Sequence, residues 1–452
     1  MPSIALKLAG WISDLHYDAL PSPVVDIAKN SILDQIGVQL RGATLPHVQP
    51  VRRMVESMGT RPESTIAYFG TQAVAPYAAY VNGTFAHSCE FDDAHPKAWH
   101  AGSCVVPVAL AFAERDRRSG KDLITSVVAG CQTMSFVGAP MFKVLMAAGW
   151  HGMKVLGVFG AAAAAGKLLN LDSTQLMNAL AIAASDASGT MEYDQSGGEV
   201  KRLHAGAAAR SGAQAALLAQ DGFTGPDTIF EGLRGIYRVF GGIEPRVEQF
   251  FSPFHILETE FKLYPAVGTT HATIDGIREL QNRHSFTNDD IEEVDVGLSD
   301  WVITHGASIT RPTDMIGAQF SLAYGVALRL VKNSNAVEDY SNPALWVAPE
   351  ILATVDKVKT HPVTFGPEES DNGAVVTLKL KDGRVVEHHQ RVAAGRRLRE
   401  ISGDEIKDKF ANVVAGLISG EKVGEILRLV DSLGTSETIL PLMECLRCAK
   451  TQ

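Results

Sequence analysis

From Ser22 to about residue 265, apolar residues recur at helical spacing and no stretch alternates like a strand. Ser22-Pro23 predicts a helix start, with Ser as N-cap and Pro at the first helical position. Val24, Ile27, Ala28, Ile32, Ile36 and Leu40 then share one face, and Gly42 is the expected stop. The stretches 105–115, 123–137, 157–168, 173–184 and 205–219 read the same way. Several are rich in Ala and Gly, which lets helices pack closely.

The pattern changes after about Pro265. Residues 270–282 still predict a helix, but 291–298 is strand-like. Alternating β-branched residues at 374–380 and 385–389 flank Lys381-Asp382-Gly383-Arg384, the signature of a hairpin. Helical spacing returns from Gly403, with a second helix expected over 421–433. The expected fold is therefore mostly α: a large all-helical domain built from both chain ends (1–265 and 399–452), with an inserted smaller α+β lid domain at 266–398.

With 46% hydrophobic and 20% charged residues among 452, the chain has the composition of a globular protein with a large core. Its formal charge of −10, without basic blocks, argues against a nucleic-acid partner or a polybasic membrane anchor. No span approaches the roughly 20 apolar residues a membrane helix needs. The N-terminal residues read poorly as a signal peptide. Five cysteines are too few and too scattered for a disulfide framework. A cytoplasmic enzyme is expected.

Two polar clusters carry possible chemistry. The first runs from His87 to Ser103. It packs Glu90, Asp92 and Asp93 with His87, His95 and His100 between apolar segments. Histidines and carboxylates are the side chains best suited to move protons near neutral pH. They also bind metals, but the spacing matches no zinc pattern and no metal ligand is assigned. In the second, Gly197-Gly198 leads into Lys201, Arg202 and His204 at the head of a small-residue helix, an arrangement that favours an anion. Lys262 beside Tyr264-Pro265 and His151 before an Ala/Gly run mean little alone. Gly157-Val-Phe-Gly160 lacks the strand and spacing of a dinucleotide loop. Cys445 and Cys448 form a CxxC without a second pair, and neither a Gly-x-Ser-x-Gly elbow nor a P-loop is present.

Taken in order, these motifs resemble the MmgE/PrpD group of 2-methylcitrate dehydratases, cis-aconitate decarboxylases and iminodisuccinate epimerases. The resemblance rests on Asn82-Gly83; His87 with Asp92-Asp93 and His100-x-Gly-Ser103; Gly149-Trp-His151 with Phe159-Gly160 and its alanine run; Lys201-Arg-Leu-His204-Ala-Gly206; Phe261-Lys262-Leu-Tyr-Pro265 with Thr270-His271; and Ala318-Gln-Phe-Ser321-Leu-Ala-Tyr324. It covers nearly the whole chain.

The resemblance implies a homodimer, a small di- or tricarboxylate substrate and no cofactor. Carried over residue by residue, the decarboxylase site falls on Glu90, Ala94, His100, His151, Lys201, Lys262 and Tyr324. This chain has Glu90 where the decarboxylase has Asp, and Ala94 where it has Thr. His100, His151, Lys201 and Tyr324 are the expected catalytic residues. Glu90, Asp93, Lys262, Arg202 and His204 are the expected substrate-binding ones. The expected activity is a dehydratase-type lyase, 2-methylcitrate dehydratase-like, that removes a proton alpha to a carboxylate. The alternatives are an epimerase of an imino or amino dicarboxylate, a cis-aconitate decarboxylase-like reaction, or a scaffold without catalysis.

Overall fold

A computed structural model describes residues 2–244, 253–366, 370–395 and 401–449. The elements that position the site are numbered here in chain order. They are helices α1 (Ser22–Gly42), α2 (Ala75–Ala86), α3 (Ala101–Arg115), α4 (Gly120–Gly138), α5 (Gly152–Leu168) and α6 (Val200–Gln220), followed by α7 (His271–Arg283), α8 (Asp300–Gly306), α9 (Leu322–Lys332) and α10 (Gly403–Val413). The strands are β1 (Asp93–Ala94), β2 (Glu260–Phe261), β3 (Ile291–Leu298), β4 (Val358–Pro362), β5 (Ala374–Leu380) and β6 (Val385–Gln390).

The fold is mostly α with a small α+β part. Buried apolar side chains of residues 4–261 and 406–446 form one cluster, joined by Met315 and Val337. The tail therefore packs back on the helical body. α10 lies on α1, and a box in which the Ser402 hydroxyl and the Glu405 carboxylate cap each other's backbone starts it. The second tail helix spans Gly420–Asp431. The α1 helix begins at Ser22 and is preceded by Pro21, one residue earlier than the N-cap expected from Ser22-Pro23.

Small residues set the tightest crossing. A Cβ on Gly206 of α6 would lie 2.1 Å from the Tyr80 carbonyl of α2. Only glycine permits this approach, and it brings the C-terminal end of α2 beside the first turn of α6.

The α+β part has its own core. Its sheet runs β4-β3-β5-β6, with β3–β4 parallel and the other pairs antiparallel. Along β5, Ala374, Val376, Leu378 and Leu380 are buried, with less buried residues between them. This period of two turns one face towards Ile277 and Leu280 of α7 and Leu322 and Val326 of α9. The hairpin is present, and Gly383 adopts a φ of 88° in its loop. Two-residue pairings that no pattern foretold occur within the first 265 residues; β1 pairs with β2. The expected boundary at 398/399 lies outside the described residues. No helix among the described residues is long and apolar enough to cross a membrane.

Candidate active site

Three helix starts border one cavity of about 200 Å³, and the end of α2 stands beside them. His87 sits at the C-cap of α2, His100 at the N-cap of α3, His151 at the N-cap of α5 and Lys201 in the first turn of α6. His100, His151 and Lys201 line the cavity, so the starts of three helices border it. Helix starts carry partial positive charge and unpaired N–H groups, which favour an anion. The pairing of Asp93 with Phe261 places the next residue, Lys262, against the loop that carries Glu90.

Glu90 joins the two lysines. Lys201 donates to its Oε2, and Lys262 donates to its Oε1 at 2.7 Å. All three side chains are buried. Burial alone would raise the Glu90 carboxyl, but Lys201 and Lys262 outweigh it and hold the group well below its usual range. Burial pulls Lys201 down, opposed by Glu90 and assisted by Lys262. Lys201 also lies 5.2 Å from the centre of the Phe320 ring.

The backbone here is strained and held from several sides. Glu90 has a φ of 54° and Trp99 a φ of 57°, a region that costs a non-glycine residue about 1–3 kcal/mol. Four consecutive carbonyls each accept a side-chain hydrogen bond. Ser88 accepts from Arg202, Cys89 from Gln319 Nε2 at 2.7 Å, Glu90 from Lys262 at 3.2 Å and Phe91 from Lys409 at 2.7 Å. Residues from the body, the α+β part and the tail thus grip one short segment.

The imidazoles form a connected set. The His100 Nδ1 lies 2.6 Å from the Asp93 carbonyl oxygen. A carbonyl only accepts, so Nδ1 carries the hydrogen and Nε2 keeps the lone pair in neutral His100. Burial and the nearby lysines push His100 down to about 3, against the pull of Asp92. His151 Nδ1 and His204 Nδ1 are 2.8 Å apart, so one proton is shared between them. Burial and neighbouring imidazoles and cations hold His151 well below its ordinary value, and His204 falls to about 4 for similar reasons. Both are therefore neutral near pH 7. His87 Nδ1 meets Asp92 at 2.7 Å, and its ring stacks 5.8 Å from that of His151. The Nε2 atoms of His87 and His151 are buried without a hydrogen-bond partner among the described residues.

His87, Asp92 and His100 offer ligand atoms within 4.8 Å of one another, close enough to hold a divalent ion. Through their Nδ1 atoms His87 already meets Asp92 and His100 the Asp93 carbonyl.

The structure brings Glu90, His100, His151, Lys201 and Lys262 to the cavity and places four other expected site residues away from its lining. Tyr324 does not line it. Its ring is buried in the α+β part beside Tyr340, and its hydroxyl donates to the Asp339 carbonyl at 3.1 Å. Arg202 is spent on Ser88, Glu199 and Gln319, so its guanidinium is a structural tie. The Asp93 carboxyl accepts from Gly102 N–H at 2.9 Å and from Gln35 at 3.1 Å, capping α3 rather than facing the cavity. His204 stands behind His151 and reaches the cavity only through it.

Other wall residues were not singled out from the sequence. Trp99, Phe142, Met146, Tyr193 and Phe320 give the cavity apolar sides, and Trp301 and His305 of α8 close it from the α+β part. Trp99 falls inside the first polar cluster and Phe320 inside the Ala318–Tyr324 motif, but neither aromatic ring was read as a wall of the site. Ala94 also lies on the wall.

Comparison with known proteins agrees across the chain. The family model of the MmgE/PrpD N-terminal domain matches residues 6–248, and that of the MmgE/PrpD C-terminal domain matches residues 264–435. A cis-aconitate decarboxylase-like protein of Aspergillus oryzae is 30% identical, over 98% of this chain and 96% of its own. A cis-aconitate decarboxylase of Aspergillus terreus is 29% identical over the same shares. The cis-aconitate decarboxylase of Mus musculus is 26% identical, over 100% of this chain and 95% of its own.

Proposed function

The chain belongs to the MmgE/PrpD family, and on that premise we propose that it is a lyase acting on a small unsaturated polycarboxylate by decarboxylation. The names of its relatives favour decarboxylation over the dehydration expected from the sequence. The observation that carries the reading is the meeting of Lys201, Glu90 and Lys262 with two neutral, buried histidines in one cavity bordered by three helix starts.

Substrate carboxylate binds at the two ammonium groups. The bond to a second carboxylate breaks and carbon dioxide leaves. The electron pair spreads over the adjoining double bond onto the bound carboxylate, where Lys201 and Lys262 hold the developing charge. Fixed charges of this kind are typically the largest catalytic contribution. The far carbon of the allylic system then takes a proton, so one proton is consumed per turnover. His151 is the proposed donor through Nε2, with His204 supplying the hydrogen between the two Nδ1 atoms. An arriving anion raises the affinity of neighbouring imidazoles for protons. The bound anion thus shifts His151 towards its charged, proton-donating form.

One observation favours a second reading. The neutral tautomer of His100 presents an acceptor at Nε2, which suits removal of a proton alpha to a carboxylate and so dehydration of a hydroxy acid. Proton NMR in deuterated water, with cis-aconitate and 2-methylcitrate in parallel, separates the two. The expected outcome is a decarboxylated alkene carrying one deuterium from solvent. Water loss from 2-methylcitrate with cis-aconitate left untouched would replace decarboxylation by dehydration. No reaction with any small polycarboxylate would overturn the lyase reading.

A further inference from the structure

We infer that the substrate carries an uncharged apolar tail of several carbons, and that this tail lies in a second chamber opening between Met146, Met191 and Trp301. The inference rests on the lyase reading above and names the substrate class more closely.

The cavity that holds the lysines shares Met146, Met191, Trp301 and His305 with a second cavity of about 490 Å³. Thioether and indole groups thus border both cavities. Ala147 and Ala148 add small apolar surface to the second, beside Thr190, Gln195 and Thr304. No lysine or arginine is among the described residues lining this chamber, whereas Glu192 and Asp194 both stand on it. His305 is held by Asp194, with Nδ1 and Oδ2 3.3 Å apart. A carboxylate entering here would meet like charge without a cation to offset it. An alkyl chain would bury its surface on Met146, Met191 and Trp301.

The lysine end points the same way. One negative charge of Glu90 already sits on the two ammonium groups. What remains suits one carboxylate or two on neighbouring carbons, and leaves a third at the opposite end of a ligand without a partner. Ala94, on the same wall, adds no hydrogen-bonding side chain.

Isothermal titration calorimetry of the full chain with succinate and its 2-methyl, 2-butyl and 2-hexyl derivatives tests this by binding alone. Kd should fall about fourfold for each methylene up to butyl. Ala148→Arg, at an exposed position on the chamber, should abolish that gain and leave succinate within twofold of its original Kd. Ala147→Trp, also exposed, should flatten the series by filling the space. A series flat in the unaltered protein, or one that keeps its slope in both variants, overturns the inference. The NMR assay keeps the two ideas apart. A flat series with turnover of cis-aconitate sinks the tail and keeps the lyase. A graded series with no turnover of any unsaturated acid keeps the tail and sinks the lyase.

Discussion

Lys262 holds Glu90 at two points, donating to the carboxylate at 2.7 Å and to the backbone carbonyl at 3.2 Å. One ammonium thus fixes both the charge of Glu90 and the left-handed backbone that presents it. Loss of either partner leaves a buried charge with too few neighbours, which is far costlier than exchanging both for apolar groups.

Glu90→Gln should accordingly lower stability by roughly 3–5 kcal/mol, measured by urea denaturation, because two buried ammonium groups lose their carboxylate. Adding Lys201→Met should recover part of that loss. Lys201→Ala alone should reduce turnover by at least about a hundredfold while the far-ultraviolet circular dichroism stays unchanged. Turnover near the original rate would remove Lys201 from the mechanism.

The contact between His151 and His204 makes a sharper demand. His204→Ala removes the group that sets the His151 tautomer, so kcat should fall by roughly a hundredfold with KM almost unchanged. The pH at which kcat is half-maximal should move as well. His204→Gln, which can still meet an imidazole nitrogen, should restore part of the rate. A change confined to melting temperature would make His204 structural only.

Tyr324→Phe should leave turnover within about twofold of the original. The lost hydrogen bond to the Asp339 carbonyl should appear instead as about 1 kcal/mol of stability. A large fall in kcat with stability intact would return Tyr324 to the reacting groups.

Asp93 gives a pH signature. Burial and the neighbouring Asp92 raise its carboxyl to about 8, while in the unfolded chain it titrates near 4. Between those values the folded protein keeps a proton that the unfolded chain has released. The contribution of Asp93 is therefore fully present below about pH 4 and is lost as pH rises towards 8, by about 1.4 kcal/mol per unit. Asp93→Asn has no such dependence. From pH 5 to pH 8 its stability should rise relative to the original protein by a few kcal/mol, with the buried histidines common to both. A constant difference across that range would show that Asp93 is ionised in the folded state.

The helices were legible because apolar residues in a packed body must recur every three or four positions, as Val24 to Leu40 do. The hairpin was legible because β5 buries alternate residues. The pairing of Asp93 with Phe261 was not, since two residues carry no period. Within the site, Glu90, His100 and Lys201 stood out because charged and imidazole groups clustered between apolar segments need partners, whereas His151 and Lys262 meant little alone and were singled out only by the family resemblance. Arg202 sits among them in sequence, but its neighbour Lys201 projects into the cavity while its own side chain turns to the Ser88 carbonyl. Trp301 and His305 reach the cavity only because α8 folds over it. That is a tertiary fact without a local signature.

The grip on carbonyls 88–91 has a consequence for how the protein is made. Glu90 emerges from the ribosome early, yet Arg202, Lys262, Gln319 and Lys409 follow over more than three hundred further residues. Until Lys409 is synthesised, the nascent loop lacks its last tie and must wait in an unfinished form. A message cut short before Lys409 would yield a chain with every lysine and histidine of the cavity, but with the Phe91 carbonyl of its central loop untied. Synthesis as far as Lys409 is thus a condition for a fully tied loop.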